Sequence, residues 1–505
     1  MFIVALSPII WLIIALSLLK ISSHKACPIA LLVASIAALF AYNMPLLNAA
    51  TAILEGVALA CWPILLVIIA AIFTYNLSIH TKSMDTIKEM LTSVSTDRRI
   101  LVLLIAWGFG AFLEGMAGFG TAIAIPASML VGIGINPLLA ALVCLIANSV
   151  PTAYGSIGIP LVTLGQITGI APLQLAKYVS FQLAPLNLLC PFLIVMVTGR
   201  SIRALKGVFG LTLVAGLSFL LPEMLVSFLI GPELAVVAAS ICTMTAIVLY
   251  AKAAKVSDAA YKMDISPISV PFKKGALACL PFILIFIFLL ITSKLIPAIN
   301  QPLNLIKTSV LIYSGSDAAP YTFTWLATPG ILILLASFIG GRVQSASFSE
   351  MFHVLFKTII SLRNTIITII TVIATAKIMG YSGMTNEIAE TAVNTTGVFY
   401  PIIAPFIGSV GTFITGSATS SSVLFGKLQT ASATAIYSNA IWLAASNATG
   451  ACAGKMISPQ SIAIATAAIS VTGRDSELLK AVAKYYVFFI VFMGCIVYFG
   501  QTLLQ

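Results

Sequence analysis

Charge is what this sequence has least of: 8% of its residues are Asp, Glu, Lys or Arg, while 60% are hydrophobic. A soluble domain carries about 25% charged residues, so a chain of 505 residues this poor in charge cannot keep its surface dispersed in water. It belongs in a lipid bilayer. Histidine is also scarce, and His24, His80 and His353 stand at the ends of apolar runs, which leaves no buried histidine metal site. The eight cysteines form no C-x-x-C pair and are mostly scattered one to an apolar segment, as small core hydrophobes are. No metal or other cofactor is expected. Neither H-E-x-x-H nor G-x-S-x-G occurs, and no aspartate lies well inside an apolar run, so an intramembrane enzyme would lack its nucleophile and base. No flexible Gly/Ser or Pro-rich linker divides the chain, and residues 1–505 read as a single integral membrane domain.

Long apolar runs are abundant. They recur about a dozen times between 2–19 and 481–504, with shorter apolar pieces at 121–133, 136–147, 157–170, 422–443 and 457–470. The expected fold is an all-α integral membrane protein of about 12–14 transmembrane helices, some broken or re-entrant. The net charge of +11 sits in short loops between runs, which marks a cytoplasmic face and not a nucleic-acid partner. Lys20 and Lys25 follow a first run with no basic residue before it, so the N-terminus is expected outside, without a cleaved signal peptide. Under alternating crossing the loops with Lys82, Lys88, Arg98 and Arg99, then Arg200, Arg203 and Lys206, fall inside. So do those with Lys252, Lys255, Lys262, Lys273 and Lys274, and with Arg342 and Lys357.

Two separated stretches share one punctuation. Gly110, Phe112 and Gly115, then Asn148, Gly155 and Pro160, are matched by Gly411, Phe413 and Gly416, then Asn447, Gly454 and Pro459. Both read G-x-F-x-x-G and then N-x6-G-x4-P. Paired, Gly/Pro-interrupted apolar segments point to the binding site of a secondary transporter. The first copy begins after Arg98 and Arg99, hence inside; the second begins after Glu387 and Glu390, hence outside, and ends inside at Arg474, Lys480 and Lys484. The copies therefore run in opposite directions, as inverted repeats do, with halves at about 47–198 and 353–505 joined by connecting helices over 207–345.

A charge at the centre of a membrane helix costs roughly 2.5–3.5 kcal/mol on insertion scales, so the few ionisable residues in the runs are informative. The main candidates are Glu55, Glu114, Lys177, Lys377, Lys427 and Lys455. Glu114 opens E-G-M-A-G-F-G, whose Gly115, Gly118 and Gly120 should break the helix and expose backbone amides. It is the candidate proton carrier; its plainer reading is a cap for the next half-helix. Lys455 lies beside Gly454 and would hold a carboxylate together with half-helix N-termini, or else reach to the membrane surface. Its Gly-rich setting is not a nucleotide loop: three residues, not four, separate the glycines and Met456 follows the lysine.

The run Ser417, Ala418, Thr419, Ser420 offers hydroxyls to a polar substrate, unless these bond their own helix backbone. Asn148 and Asn447, equivalent in the two copies, would brace the breaks and reach the substrate. Tyr154 supplies a hydroxyl or packs as an aromatic. Ser458 and Gln460 complete the candidate binding set.

At these residues the sequence resembles the bacterial L-lactate permease family, which also includes glycolate permeases. GAFLEGMAGFGTAIAI, CLIANSVPTAYGSIGIP, GTFITGSATSSSVLFGKLQ and ATGACAGKMISPQSIAIA stand in the family's order. The resemblance spans nearly the whole chain. It implies a multi-pass symporter of the bacterial cytoplasmic membrane that takes up small 2-hydroxymonocarboxylates with protons, and it places Glu114, Gly115, Gly118, Gly120, Asn148, Asn447, Lys455, Ser458 and Gln460 within matching motifs. Ala418 stands where the family usually has aspartate, and Lys427 where a small residue is expected. The expected partners are thus a monocarboxylate such as L-lactate, D-lactate or glycolate, protons and the bilayer. A sodium-coupled carrier of another small organic anion and an anion channel are the alternatives.

Overall fold

A computed structural model describes the chain except residues 20, 119, 255–257, 265–269, 317, 472–473 and 502–505. Lys20 and Lys255, which contribute to the charge pattern, lie outside the described residues. Among the described residues the regular structure is helical but for one two-stranded antiparallel hairpin and an isolated bridge. Ten helices among the described residues are long and apolar enough to cross a membrane, or eleven if a pair bent by 59° counts as one span. Shorter apolar helices cover Phe2–Leu16, Thr121–Gly132 and Pro329–Val343. An all-α multi-pass membrane protein with broken helices is therefore the architecture. Helices dominate because lipid offers no partner for backbone N–H and C=O groups, so each span must satisfy its own.

The elements that shape the site are, in chain order, α1 (Ser23–Ile36) and α2 (Leu46–Leu59). The first punctuated copy supplies α3 (Gly110–Met116), α4 (Thr121–Gly132), α5 (Pro137–Ser149) and α6 (Gly155–Thr168). Three long spans follow: α7 (Pro172–Gly199), α8 (Phe209–Leu229) and α9 (Pro232–Ala254). Strands β1 (Lys307–Val310) and β2 (Tyr321–Thr324) form the hairpin, then come α10 (Phe348–Ser361) and α11 (Arg363–Tyr381). The second copy gives α12 (Tyr400–Thr415), α13 (Ala418–Ala435), α14 (Ala440–Ile457) and α15 (Pro459–Ala468).

Each copy is thus a helix, a break and a helix, twice over. The copies interlock reciprocally: α4 packs on α15, and α13 packs on α6. The half-helix after the first break of one copy meets the half-helix after the second break of the other. Close approach is enforced by small residues. A Cβ on Gly454 would strike the Ser409 backbone and one on Gly450 the Pro405 backbone, so α14 lies backbone to backbone against α12.

The hairpin docks on the helices. Trp62 Nε1 donates to Thr324 O at 3.0 Å, Tyr321 donates to Trp62 O, and the Tyr313 ring stacks on Tyr381 with centroids 3.7 Å apart. At a basic loop, Arg99 is fully buried. It clasps Asp97 at 2.7 Å, the carbonyls of Ala204 and Lys206 at 2.9 and 3.0 Å, and the Tyr261 ring face at 3.9 Å.

Candidate functional site

Four chain breaks converge. After α3 the chain turns through Gly118 (φ +61°) and Gly120 (φ +86°), a left-handed geometry that side-chain-bearing residues resist. A Cβ on Gly118 would also collide with Ser156 Oγ, which donates to Ala117 O at 2.8 Å and ties the first break to the second. After α5 comes a short 3-10 turn, Pro151–Tyr154, and then Ser156, Ile157 and Gly158 all take positive φ. A β-branched Ile157 at φ +58° is a strained residue, the kind that persists only where its surroundings over-determine it.

In the second copy Gly416 (φ +70°) ends α12, and Ser417 caps α13 by accepting from Ser420 N at 3.3 Å. Ser458 separates α14 from α15 and caps the latter through Ser461 N at 3.2 Å. Non-helical backbone is tolerated at membrane depth only where protein or a watered cavity surrounds it.

A cavity of about 220 Å³ lies among the breaks. Glu114, Thr152, Gly155 and Ser156 line it from the first copy, and Thr415 through Ser420, Lys455 and Gln460 from the second. Lys455, 7% exposed, donates from Nζ to Gly416 O at 2.9 Å. That carbonyl is one of the orphans left where a helix ends. Glu114, 3% exposed, has the Asn148 amide and the Lys455 ammonium as polar neighbours, yet Glu114 and Lys455 form no ion pair within 4 Å. Its Oε2 has no hydrogen-bond partner. Gly155 leaves it room: a Cβ there would sit 2.6 Å from Glu114 Oε1. The lysine and the glutamate face one space as separate handles.

The cavity also meets the N-terminus of α13. Its start is lined by Ser417, Ala418, Thr419 and Ser420, and the first-turn N–H groups that no intrahelical carbonyl takes are placed to receive an anion.

Among the candidates from sequence, the structure brings Glu114, Lys455, Ser417, Thr419, Ser420 and Gln460 to the cavity. Gly118, Gly120, Asn148, Asn447, Tyr154 and Ser458 do not line it. Gly118 and Gly120 make the turn behind it. Asn148 stands beside Glu114, with Nδ2 3.5 Å from Thr152 Oγ1. Asn447 donates to Ser421 O at 3.3 Å and braces α14 against α13. Tyr154 points away, its hydroxyl donating to Ala176 O at 2.9 Å. Lys427, ten residues into α13, lies over the Tyr381 ring at 5.4 Å, away from the cavity that Ala418 does line.

Sequence reasoning missed the other wall. Ser23 and His24 at the start of α1, with Asn364, Thr365 and Thr368 of α11, complete the lining, and the exposed Asn364 brings the cavity to the surface. The signal was faint: Asn364, Thr365 and Thr368 share one helical face of a run that also carries Thr371, Thr375 and Lys377.

Broken helices closing on a polar cavity inside a multi-pass bundle define a membrane transport protein. The sequence matches the L-lactate permease family over residues 1–504. It is 46% identical over 452 residues to the L-lactate permease of Streptococcus iniae, covering 89% of this chain and 94% of that one. It is 35% identical over 541 residues to the glycolate permease GlcA of Escherichia coli (strain K12), covering 99% and 95%. The L-lactate permease of the same E. coli strain is 34% identical over 523 residues, covering 98% and 94%. The chain belongs to the L-lactate permease family, a family of transport proteins rather than enzymes.

Proposed function

We propose that this protein is a proton-coupled symporter of the bacterial cytoplasmic membrane for L-lactate or a close 2-hydroxymonocarboxylate such as glycolate or D-lactate. The observation that carries the reading is the shared cavity: Glu114 and Lys455, one from each copy, face it without pairing, beside the N-terminus of α13. The names of the similar permeases, for L-lactate and glycolate, support the substrate class.

Lys455 and the free N–H groups of α13 would hold the substrate carboxylate, and Thr419 and Ser420 would take the 2-hydroxyl. Two like charges about 4 Å apart repel by about 4 kcal/mol at an effective dielectric of 20, so substrate and an ionised Glu114 oppose each other. A proton on Glu114 removes that repulsion and so couples proton uptake to substrate uptake. Release follows when the proton leaves.

Reciprocal packing of α4 on α15 and α13 on α6 supports a two-fold relation between the copies, and opposite loop charges support an inverted one. Exchanging the two halves' conformations would then expose the site alternately. The cavity mouth at Ser23 and Asn364 adjoins Lys25 and Arg363, which the charge rule puts in the cytoplasm, with the N-terminus periplasmic.

Uptake into proteoliposomes tests this. Lactate should accumulate under an inward proton gradient without sodium; accumulation that requires sodium at fixed pH overturns proton coupling in favour of a sodium-driven carrier. Saturation should separate a carrier from a channel. Glu114→Gln should abolish accumulation, and a variant that still concentrates lactate as pH falls removes Glu114 from the proton role. Lys455→Gln should raise the half-saturation concentration by tenfold or more, and an unchanged value removes it from the binding site.

A further inference from the structure

A second buried carboxylate lies outside the cavity. Glu223 lies in the last third of α8, in the sequence F-L-L-P-E-M-L-V, and is 1% exposed. Asn187 of α7 donates to its Oε2, and its Oε1 has no hydrogen-bond partner. No cation among the described residues compensates it. Glu223 is the sole charged residue of α8; α7 carries only Lys177, whose Nζ lies 5.7 Å from the Phe228 ring centroid. α9 carries only Glu233 and Lys252, near its two ends. The other titratable groups turned towards Glu223 are the Tyr154 hydroxyl and the Cys452 thiol.

Tyr154 connects this carboxyl to the transport site. It lies in the 3-10 turn of the second break, directly before Gly155, the residue packed against Glu114 Oε1. Its hydroxyl donates to Ala176 O, accepts from Ser227 Oγ at 3.3 Å, and neighbours Glu223. Cys452 of α14 adjoins both glutamates and donates weakly to Val150 O in the same break at 3.7 Å. A structural carboxyl in hydrocarbon would be expected to have a cation or a full set of donors. Glu223 has neither, and its polar neighbour Tyr154 belongs to the break that flanks the transport site.

We propose that Glu223 is a second proton-binding group of the transport cycle, exchanging its proton as the 150–158 break moves Tyr154 towards or away from it. The step is a proton transfer only: the Glu223 O–H bond breaks as an O–H bond forms to a water admitted when the break moves, and the reverse reprotonates it, with no change of oxidation state. Glu223 acts on coupling rather than on substrate, since it does not line the cavity. The inference rests on the proton-symport reading given above.

The test compares two modes of transport in proteoliposomes, L-lactate counterflow at equal pH and L-lactate accumulation under an inward proton gradient. Glu223→Gln keeps the shape and the Asn187 contact. It is expected to keep counterflow within about twofold of the unaltered protein and to lose accumulation by tenfold or more. Full accumulation in Glu223→Gln overturns the inference while leaving Glu114 in place. Absence of gradient-driven accumulation in the unaltered protein overturns the symport reading, and this inference with it. If Glu223→Gln loses counterflow too, Glu223→Asp decides: restored accumulation supports a proton-binding role and its absence overturns one. Tyr154→Phe should shift the pH for half-maximal uptake; an unshifted profile overturns the link through Tyr154.

Discussion

Lys377 of α11 and the buried Glu55 of α2 form a largely buried ion pair, Nζ to Oε1 at 2.5 Å, and the Tyr381 hydroxyl donates to both oxygens of Glu55 at 3.0 and 3.1 Å. The pair lies next to the docked hairpin, since Tyr381 also stacks on Tyr313. Removing one partner of a buried pair leaves an uncompensated charge and costs about 3–5 kcal/mol. Lys377→Met and Glu55→Gln should each lower the thermal midpoint in detergent by several degrees. The double variant should lose less than the sum, with a coupling of about 1–3 kcal/mol. Additive losses would show that the pair is not a unit.

The hairpin is clasped to α2 by polar contacts as well. Thr51 Oγ1 and Ser314 Oγ lie 2.9 Å apart, and Ser314 Oγ donates to Asn48 Oδ1 at 2.9 Å. If this end must open during transport, Thr51→Cys with Ser314→Cys should crosslink on mild oxidation and slow uptake at least fivefold, with recovery on adding reductant. Crosslinking without loss of uptake would mean that the hairpin stays shut throughout the cycle.

Gly416 disfavours a side chain. Its φ of +70° disfavours one, and a Cβ would overlap the Gln460 amide, while its carbonyl holds Lys455. Gly416→Ala should therefore cost substrate affinity tenfold or more while the protein still reaches the membrane. Ala418→Gly, at the neighbouring cavity position, should cost under threefold. Equal effects at both positions would point to general destabilisation, and tryptophan fluorescence titration with L-lactate distinguishes the cases.

Outside the spans, the Glu350 carboxyl is held below its ordinary value of 4.5 by the Ser347 backbone N–H and hydroxyl, with His80 assisting. It closes a capping box at the start of α10. A depressed carboxylate stabilises above its unfolded value and loses that contribution as pH falls through the folded one. Amide exchange in the first turn of α10 should hence quicken below about pH 4.5. Glu350→Gln should flatten this dependence, and an unchanged profile would assign it elsewhere.

The breaks were legible because glycine, proline and asparagine at fixed offsets are rare inside apolar runs. Glu114 and Lys455 stood out because a charge there is costly. Glu223 did not stand out: a single acid within one ordinary span carries no neighbouring glycine to mark it. The direction of Tyr154 and the depth of Lys427 depend on helix rotation, which tertiary packing fixes and local sequence does not. The α1 and α11 wall was hidden for a related reason. Its hydroxyls and amide look like ordinary helix-face polarity until the second copy folds against them.

α11 begins beside the cavity mouth, at Asn364, Thr365 and Thr368, and ends at Lys377 and Tyr381 under the hairpin. Nineteen residues of continuous helix make a rod about 28 Å long. Such a rod cannot pivot at one end and stay still at the other. Freeing Lys377 and Tyr381 would swing Asn364 and Thr365, so the cavity mouth and the hairpin end share one crossbar. Were the hairpin end to open in transport, undoing one bolt would throw the other, as in an airlock.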